Sequence, residues 1–362
     1  MKDRWTEQGA REAIERWGAQ HGDAFALRLY SARLIGEDPA LVLHGGGNVS
    51  LKGKHRTLLG DEVDAIYVKG SGWDLGTLEP GGLPGLDLAH LRRLRSLDAL
   101  ADDEMVNQMR TCLFDASAPT PSIETLVHTF LPHRFIDHSH ADTVLALTNQ
   151  PNGNELVREA LGGRVAIVPY VRPGFDLAKA VADGYEADSN VEGIVLLHHG
   201  LITFGNDART AYQRHIALVT ACEGFIEERA AGFSLRGRPR GLKPAAPQEE
   251  PADLAVHVAP VLRGFLAVPT GDEDRPHSRS VLEWRASDEI LSLINSAEAK
   301  ALAATGPLTG DHLIHTKPTP MFVENPQWSD EDALRRQLKD AVAAYRHDYE
   351  AYVTAHGGST RG

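Results

Sequence analysis

The 362-residue sequence is 42% hydrophobic and 24% charged, and its 50 acidic against 37 basic residues give a formal charge of −13. Its length exceeds the usual single domain and suffices for a substantial core. No apolar run is long enough for a membrane span, and the acidic balance without a basic stripe disfavours a nucleic-acid partner. An anionic small molecule stays compatible through local donors such as loop N–H groups. The charged start, Met1 to Trp5, lacks the apolar core of a secretory signal, so a cytoplasmic location is expected. Cys112 and Cys222 lack CxxC or framework spacing and read as buried reduced thiols.

In chain order, Ala10, Ile14, Trp17, Ala24, Leu27, Tyr30 and Leu34 recur at helical spacing, with Gly18 and Gly22 as breaks, and predict two opening helices. After Leu41-Val42-Leu43 comes His44-Gly45-Gly46-Gly47-Asn48, a tight loop whose glycines reach conformations closed to other residues. Val63 to Val68 reads as a strand leading into a second glycine turn, Lys69-Gly70-Ser71-Gly72. Two such loops after strands suggest one pocket. Helices are predicted near 87–97, 102–115 and 122–131. Strands at 135–140, 164–168 and 193–197 then alternate with helical stretches near 153–161 and 176–183, and a long helix covers about 208–231. The pattern is α/β and layered. Residues 232–251, rich in Gly, Pro and basic residues, read as a linker between a domain at 1–231 and a smaller C-terminal α/β domain at 252–362. Within the latter, 281–303 reads as strand then helix, 311–319 as a polar proline-broken loop, and 330–355 as a helical tail.

His138-Ser139-His140 places two imidazoles on one face of a strand, a spacing that can bite one metal ion. His199 follows the apolar strand Ile194 to Leu197 and precedes Gly200, at a strand end where sites in α/β folds lie. Strand alternation leaves His198 and His199 equal candidates for a third ligand. Three histidines with an open position are the pattern of a catalytic zinc, or another divalent metal. Glu124 precedes the HxH strand closely enough to return to the metal and move a proton there.

These residues resemble the class II aldolase/adducin family over roughly residues 20–230. Its elements occur in order: Gly47-Asn48-Val49-Ser50, Ser71-Gly72, Ser122 with Glu124, His138 and His140, then His199-Gly200. Val68 to Leu75, Pro121 to His128 and Asp311 to Lys317 are similar to the aldolase half of bifunctional rhamnulose-1-phosphate aldolase/lactaldehyde dehydrogenases. The resemblance implies a class II aldolase-like α/β/α layered domain. It also implies zinc on His138, His140 and His199, Glu124 as proton carrier, and Asn48, Ser71, Gly72 and Ser122 around a substrate phosphate. The expected reaction is cleavage of a ketose 1-phosphate, or a related hydroxyketone, into a dihydroxyacetone-phosphate-type fragment and an aldehyde. Epimerisation, decarboxylation or an adducin-like interaction role are the alternatives on this fold. A homo-oligomer, a tetramer by resemblance, is expected. The small aldolases carry a hydroxyl residue where this chain has Ile123. No GxGxxG follows a strand, so no dehydrogenase activity is expected. His312 and His315 read as structural.

Overall fold

In the computed structural model, which describes residues 1–231 and 251–358, the chain forms two compact units. The first comprises residues 1–231 joined by Leu308–His315 from much later in the chain. Its centre is a seven-stranded sheet of β1 (Asn48–Arg56), β2 (Glu62–Val68), β3 (Gly85–Asp87), β4 (Phe135–Ser139), β5 (Val165–Val168), β6 (Gly193–Leu196) and β7 (Gly200–Gly205), in the order β3-β2-β1-β4-β7-β6-β5. Every neighbouring pair is antiparallel except β5 with β6.

Alternation along the strands divides the core into two layers. Val49, Leu51, Phe135, Val195 and Leu201 point to one side. There they pack with Leu29 and Ile35 of the helix Asp23–Gly36, Val144 and Val157 of two short helices, and Tyr212 and Leu218 of the helix Ala208–Ala230. Ile66, Ile136, Ile194, Leu196 and Phe204 point to the other, against the helices Leu88–Arg93, Asp102–Thr111, Thr125–Phe130 and Phe175–Ala187. The strands carry apolar residues on both faces because helices cover both. The result is a layered α/β/α fold, in line with the α/β layering read from the alternation of elements and with the α/β/α arrangement that the resemblance implied.

Several local features differ from the sequence reading. The opening helical run passes through Gly18 as a π-helical segment, Ile14–Gly18, and breaks only at Gly22, where φ is +85°. Leu41 to Leu43 form no strand. The apolar triplet is too short to propagate one, and the glycine loop therefore precedes β1 instead of following a strand. The helix expected from Ser122 starts at Thr125, leaving Glu124 at its N-terminal boundary. His140 stands just past the end of β4, and β7 begins straight after His199. Both cysteines are buried and free.

The second unit, within the described residues, covers 251–307 and 316–358. It has the helices Pro251–Phe265 and Glu331–Ala355, shorter helices at Asp288–Ile294 and Ala299–Ala303, and one small pair, β8 (Val268–Pro269) with β9 (His277–Ser278). Leu334, Leu338 and Val342 form the buried stripe of the long helix at four-residue spacing. Residues 281–287 form no strand. The Asp311 segment is not a loop throughout, since Gly310–His315 closes into a short helix. The stretch read as a linker, 232–251, lies outside the described residues except for Pro251. No helix among the described residues is long and apolar enough to cross a membrane.

Candidate metal centre

Strand β4 supplies the site through its two-residue period. Asp137 and Ser139 face the helix layer of Arg28 and His215, so His138 projects to the opposite side with Ile136. Antiparallel pairing sets Asn48 of β1 opposite His138, and Ile202 of β7 on its other flank. The turn before β7 then brings His199 against both members of the HxH. The ring centroids of His138, His140 and His199 lie 4.9, 5.0 and 5.3 Å apart pairwise. Gly200 permits this approach, because a Cβ there would lie 2.2 Å from the Ser139 carbonyl oxygen. The ambiguity between the two adjacent histidines resolves spatially. His198 adopts φ +59° and is exposed with Nδ1 3.3 Å from Asn149, whereas His199 turns into the cluster.

Hydrogen bonds fix how these imidazoles are protonated. His138 Nδ1 lies 3.1 Å from the Leu201 carbonyl oxygen, and His140 Nδ1 lies 2.7 Å from Asp311 Oδ1. Both partners accept only, so each Nδ1 carries a proton, and each ring turns its Nε2 toward the cluster. Those two Nε2 atoms are 3.1 Å apart. Lone pairs at that separation repel unless a proton or a cation stands between them. Burial drives the His138 pKa down to about 3 despite the opposing Glu124 carboxylate, which keeps that ring neutral. For His140 burial acts downward too, but the Asp311 hydrogen bond and charge prevail and the net shift is upward.

Glu124 completes the cluster. Its Oε1 is 3.0 Å from His199 Nε2 and its Oε2 is 3.5 Å from His138 Nε2. Burial opposes its ionisation, yet the imidazoles around it outweigh burial and hold it well below the usual carboxylate range. The carboxylate is therefore an anion at neutral pH. One nitrogen from each histidine falls within 4.8 Å of the others, and Nδ1 of His199 is buried without a hydrogen-bond partner among the described residues. Three imidazoles converging beside one carboxylate fit a borderline divalent cation such as zinc, by donor type and by number.

The residues expected around a phosphate are drawn together by their loops. Asn48 is buried and donates through Nδ2 to Ser122 Oγ, with Glu124 Oε2 at 3.5 Å. Ser71 N–H donates to Thr120 O at 2.8 Å, Ser122 N–H donates to Lys69 O at 3.2 Å, and Gly72 abuts Gly45 across the two glycine loops. Ser71 and Gly72 are exposed, as is Ile123. The sequence reading overlooked two residues here. Lys69, buried, donates from Nζ to the carbonyls of Gly45 at 2.5 Å and Trp73 at 2.8 Å and so ties the two loops together. Burial lowers its pKa to about 8 against the pull of Glu124, Asp311 and Asp74. A lysine inside a glycine-rich turn was the available signal. Asp311 is the other, and only its place in a motif-like stretch marked it.

The class II aldolase and adducin N-terminal domain family matches residues 28–226, and the family described as aldolase class II, second domain, matches residues 253–361. The chain belongs to the class II aldolase and adducin family. It is 34% identical over 327 residues to the uncharacterized oxidoreductase YuxG of Bacillus subtilis (strain 168), a match covering 90% of this chain and 46% of that protein. The chain thus spans less than half the length of this relative. The structure of the N-terminal class II aldolase domain of a conserved protein from Thermoplasma acidophilum is 38% identical, with a TM-score of 0.56, over 62% of this chain and 99% of that one.

Proposed function

We propose that this protein is a metal-dependent carbon–carbon lyase of the class II aldolase type. Its substrate would be a hydroxyketone, a ketose 1-phosphate of the rhamnulose-1-phosphate kind being the best candidate, cleaved to a dihydroxyacetone-phosphate-type fragment and an aldehyde. The observation that carries the reading is the approach of His138 Nε2 and His140 Nε2 to 3.1 Å, with His199 and Glu124 beside them. His138, His140 and His199 would hold the cation, zinc or another divalent metal. When bound, such an ion supplies Lewis acidity toward a carbonyl and the hydroxyl next to it.

The chain's own residues do the rest. Glu124, an anion among imidazoles, accepts the proton that leaves the substrate hydroxyl as the C–C bond breaks and returns one to the carbanionic carbon. Asn48 and Ser122, hydrogen-bonded to each other, and the exposed Ser71, through its hydroxyl, and Gly72 offer donors to an anionic ester without a large basic patch. The substrate carries its own negative charge into a chain of net charge −13, so these local donors must overcome the global field.

The test uses the whole purified chain. About one divalent metal per chain is expected by elemental analysis, with cleavage of a ketose 1-phosphate lost on chelation and restored by zinc. Glu124→Gln should keep its metal and lose roughly 10²–10⁴-fold in turnover, the usual range for lost acid–base catalysis. His140→Ala should lose the metal itself. A metal-replete Glu124→Gln as fast as wild type removes Glu124 from the mechanism. An epimer or carbon dioxide as product, in place of an aldehyde, removes the lyase reading and leaves the metal centre standing.

A further inference from the structure

Asp311 is separated from His140 by 171 residues, yet its carboxylate is 97% buried and has both oxygens engaged inside the first unit. Oδ1 accepts the His140 Nδ1 proton at 2.7 Å, and Oδ2 accepts the Leu43 backbone N–H at 2.9 Å. Gly46 lies directly against it, for a Cβ at that position would sit 2.1 Å from Oδ1. The short helix Gly310–His315 that carries Asp311 is itself tied to this unit. Asn149 Nδ2 donates to Leu308 O at 2.9 Å, and the His315 ring packs on His44 at 4.5 Å.

We infer that Asp311 is a positioning residue for the metal centre, one carboxylate that fixes the His140 ring with its Nε2 lone pair turned inward and at the same time anchors the glycine loop leading to Asn48. The inference rests on the metal-site reading proposed above. A histidine that ligates a metal through one nitrogen is commonly oriented by an acceptor on the other, and loss of that acceptor typically weakens metal binding 10–100-fold. Here a segment from beyond residue 300 supplies the acceptor. The ligand set visible between residues 124 and 199 is therefore incomplete as a binding unit.

Zinc affinity is to be measured by chelator competition on the full chain, together with the visible absorption of the cobalt(II)-substituted protein and the thermal midpoint of the metal-free protein. Asp311→Asn keeps the shape but offers one acceptor oxygen in place of two. Asp311→Ala offers none. Both are expected to bind zinc roughly 10–100-fold more weakly, with an altered cobalt spectrum, while remaining folded. Gly46→Ala should displace the carboxylate without removing it and weaken zinc binding in the same direction. Its effect should largely vanish in the Asp311→Ala background, because the two changes act on one contact. Wild-type affinity and spectrum in folded Asp311→Asn and Asp311→Ala, or an additive Gly46→Ala effect, overturn the positioning role while the metal centre survives. A wild-type chain that takes up neither zinc nor cobalt overturns the metal reading and this inference with it.

Discussion

His215 sits fully buried between Ser139 and Thr203, with Nε2 2.6 Å from Ser139 Oγ and Nδ1 2.9 Å from Thr203 Oγ1. Thr203 gives its own proton to Ala211 O, so it accepts from Nδ1, and Nε2 accepts from Ser139. Burial, aided by the Arg28 charge, pushes the His215 pKa down to about 3. An unfolded histidine takes up its proton near pH 6.5, so between about pH 6.5 and 3 the unfolded state binds a proton that the folded state refuses. Stability from this residue is complete above the unfolded value and falls as the pH drops through that window. Between pH 6.5 and 5 the loss is about 1.5 kcal/mol for one such group. Urea denaturation across that range should show it, and His215→Gln should remove about one proton from the dependence. An unchanged slope in the variant would mean that His215 is already protonated in the fold. Other single residues show what a sequence can reveal. The pairing of His138 with His140 follows from a strand's period of two, which is local information. His198 against His199 does not, because the choice depends on a positive φ in a turn. Asp311 meets its histidine only through the three-dimensional path of the chain.

Strand β4 is the element on which the site depends, and its face away from the histidines is pinned as firmly as the histidine face is chemically loaded. Arg28 donates to Asp137 Oδ1 at 2.5 Å, to Ser31 Oγ at 2.8 Å and to the Ile136 carbonyl at 3.3 Å, all in a fully buried setting. Burial raises the Asp137 pKa and Arg28 opposes it. Breaking such a pair from one side leaves an uncompensated buried carboxyl, at a cost of about 3–5 kcal/mol, whereas replacing both partners by apolar residues often costs little. Arg28→Met should therefore destabilise strongly in chemical denaturation, and adding Asp137→Leu should recover most of the loss. A single variant within 1 kcal/mol of wild type would show that the pair does not hold β4. The legibility of elements follows similar lines. Most helices on the two faces, though not Asp142–Thr148, and β2, β4, β5 and β6 stood out through periodicity and apolar runs. β1 and β7 did not, because each begins right at a residue or glycine that already had a reading as part of a functional turn, at Asn48 and Gly200.

For the whole molecule, the first unit is discontinuous in sequence. Its sheet and helices end at Ala230, but Leu308–His315 belongs to it as well. A chain stopped after Ala231 should retain the seven-stranded sheet, seen by its circular dichroism. It should also bind zinc about 10–100-fold more weakly than the full chain, since it lacks Asp311. Equal affinity in the shortened chain would separate the return segment from the metal centre. Composition and periodicity could announce an α/β protein with a second region, but they could not show that a few residues from within that region return, since nothing local distinguishes a polar helix that stays from one that belongs to the first unit. This arrangement also sets an order of events during synthesis. The three histidines leave the ribosome 112 to 173 residues ahead of Asp311, which at about 5–20 residues per second is an interval of roughly 6–35 s. Through that interval the nascent sheet can gather its imidazoles, but His140 lacks the Asp311 acceptor of the full chain. On the proposed positioning role, tight metal capture would be a late step of maturation, timed by translation as far as Asp311, so a ribosome stalled before it would display a folded sheet that exchanges its ion readily.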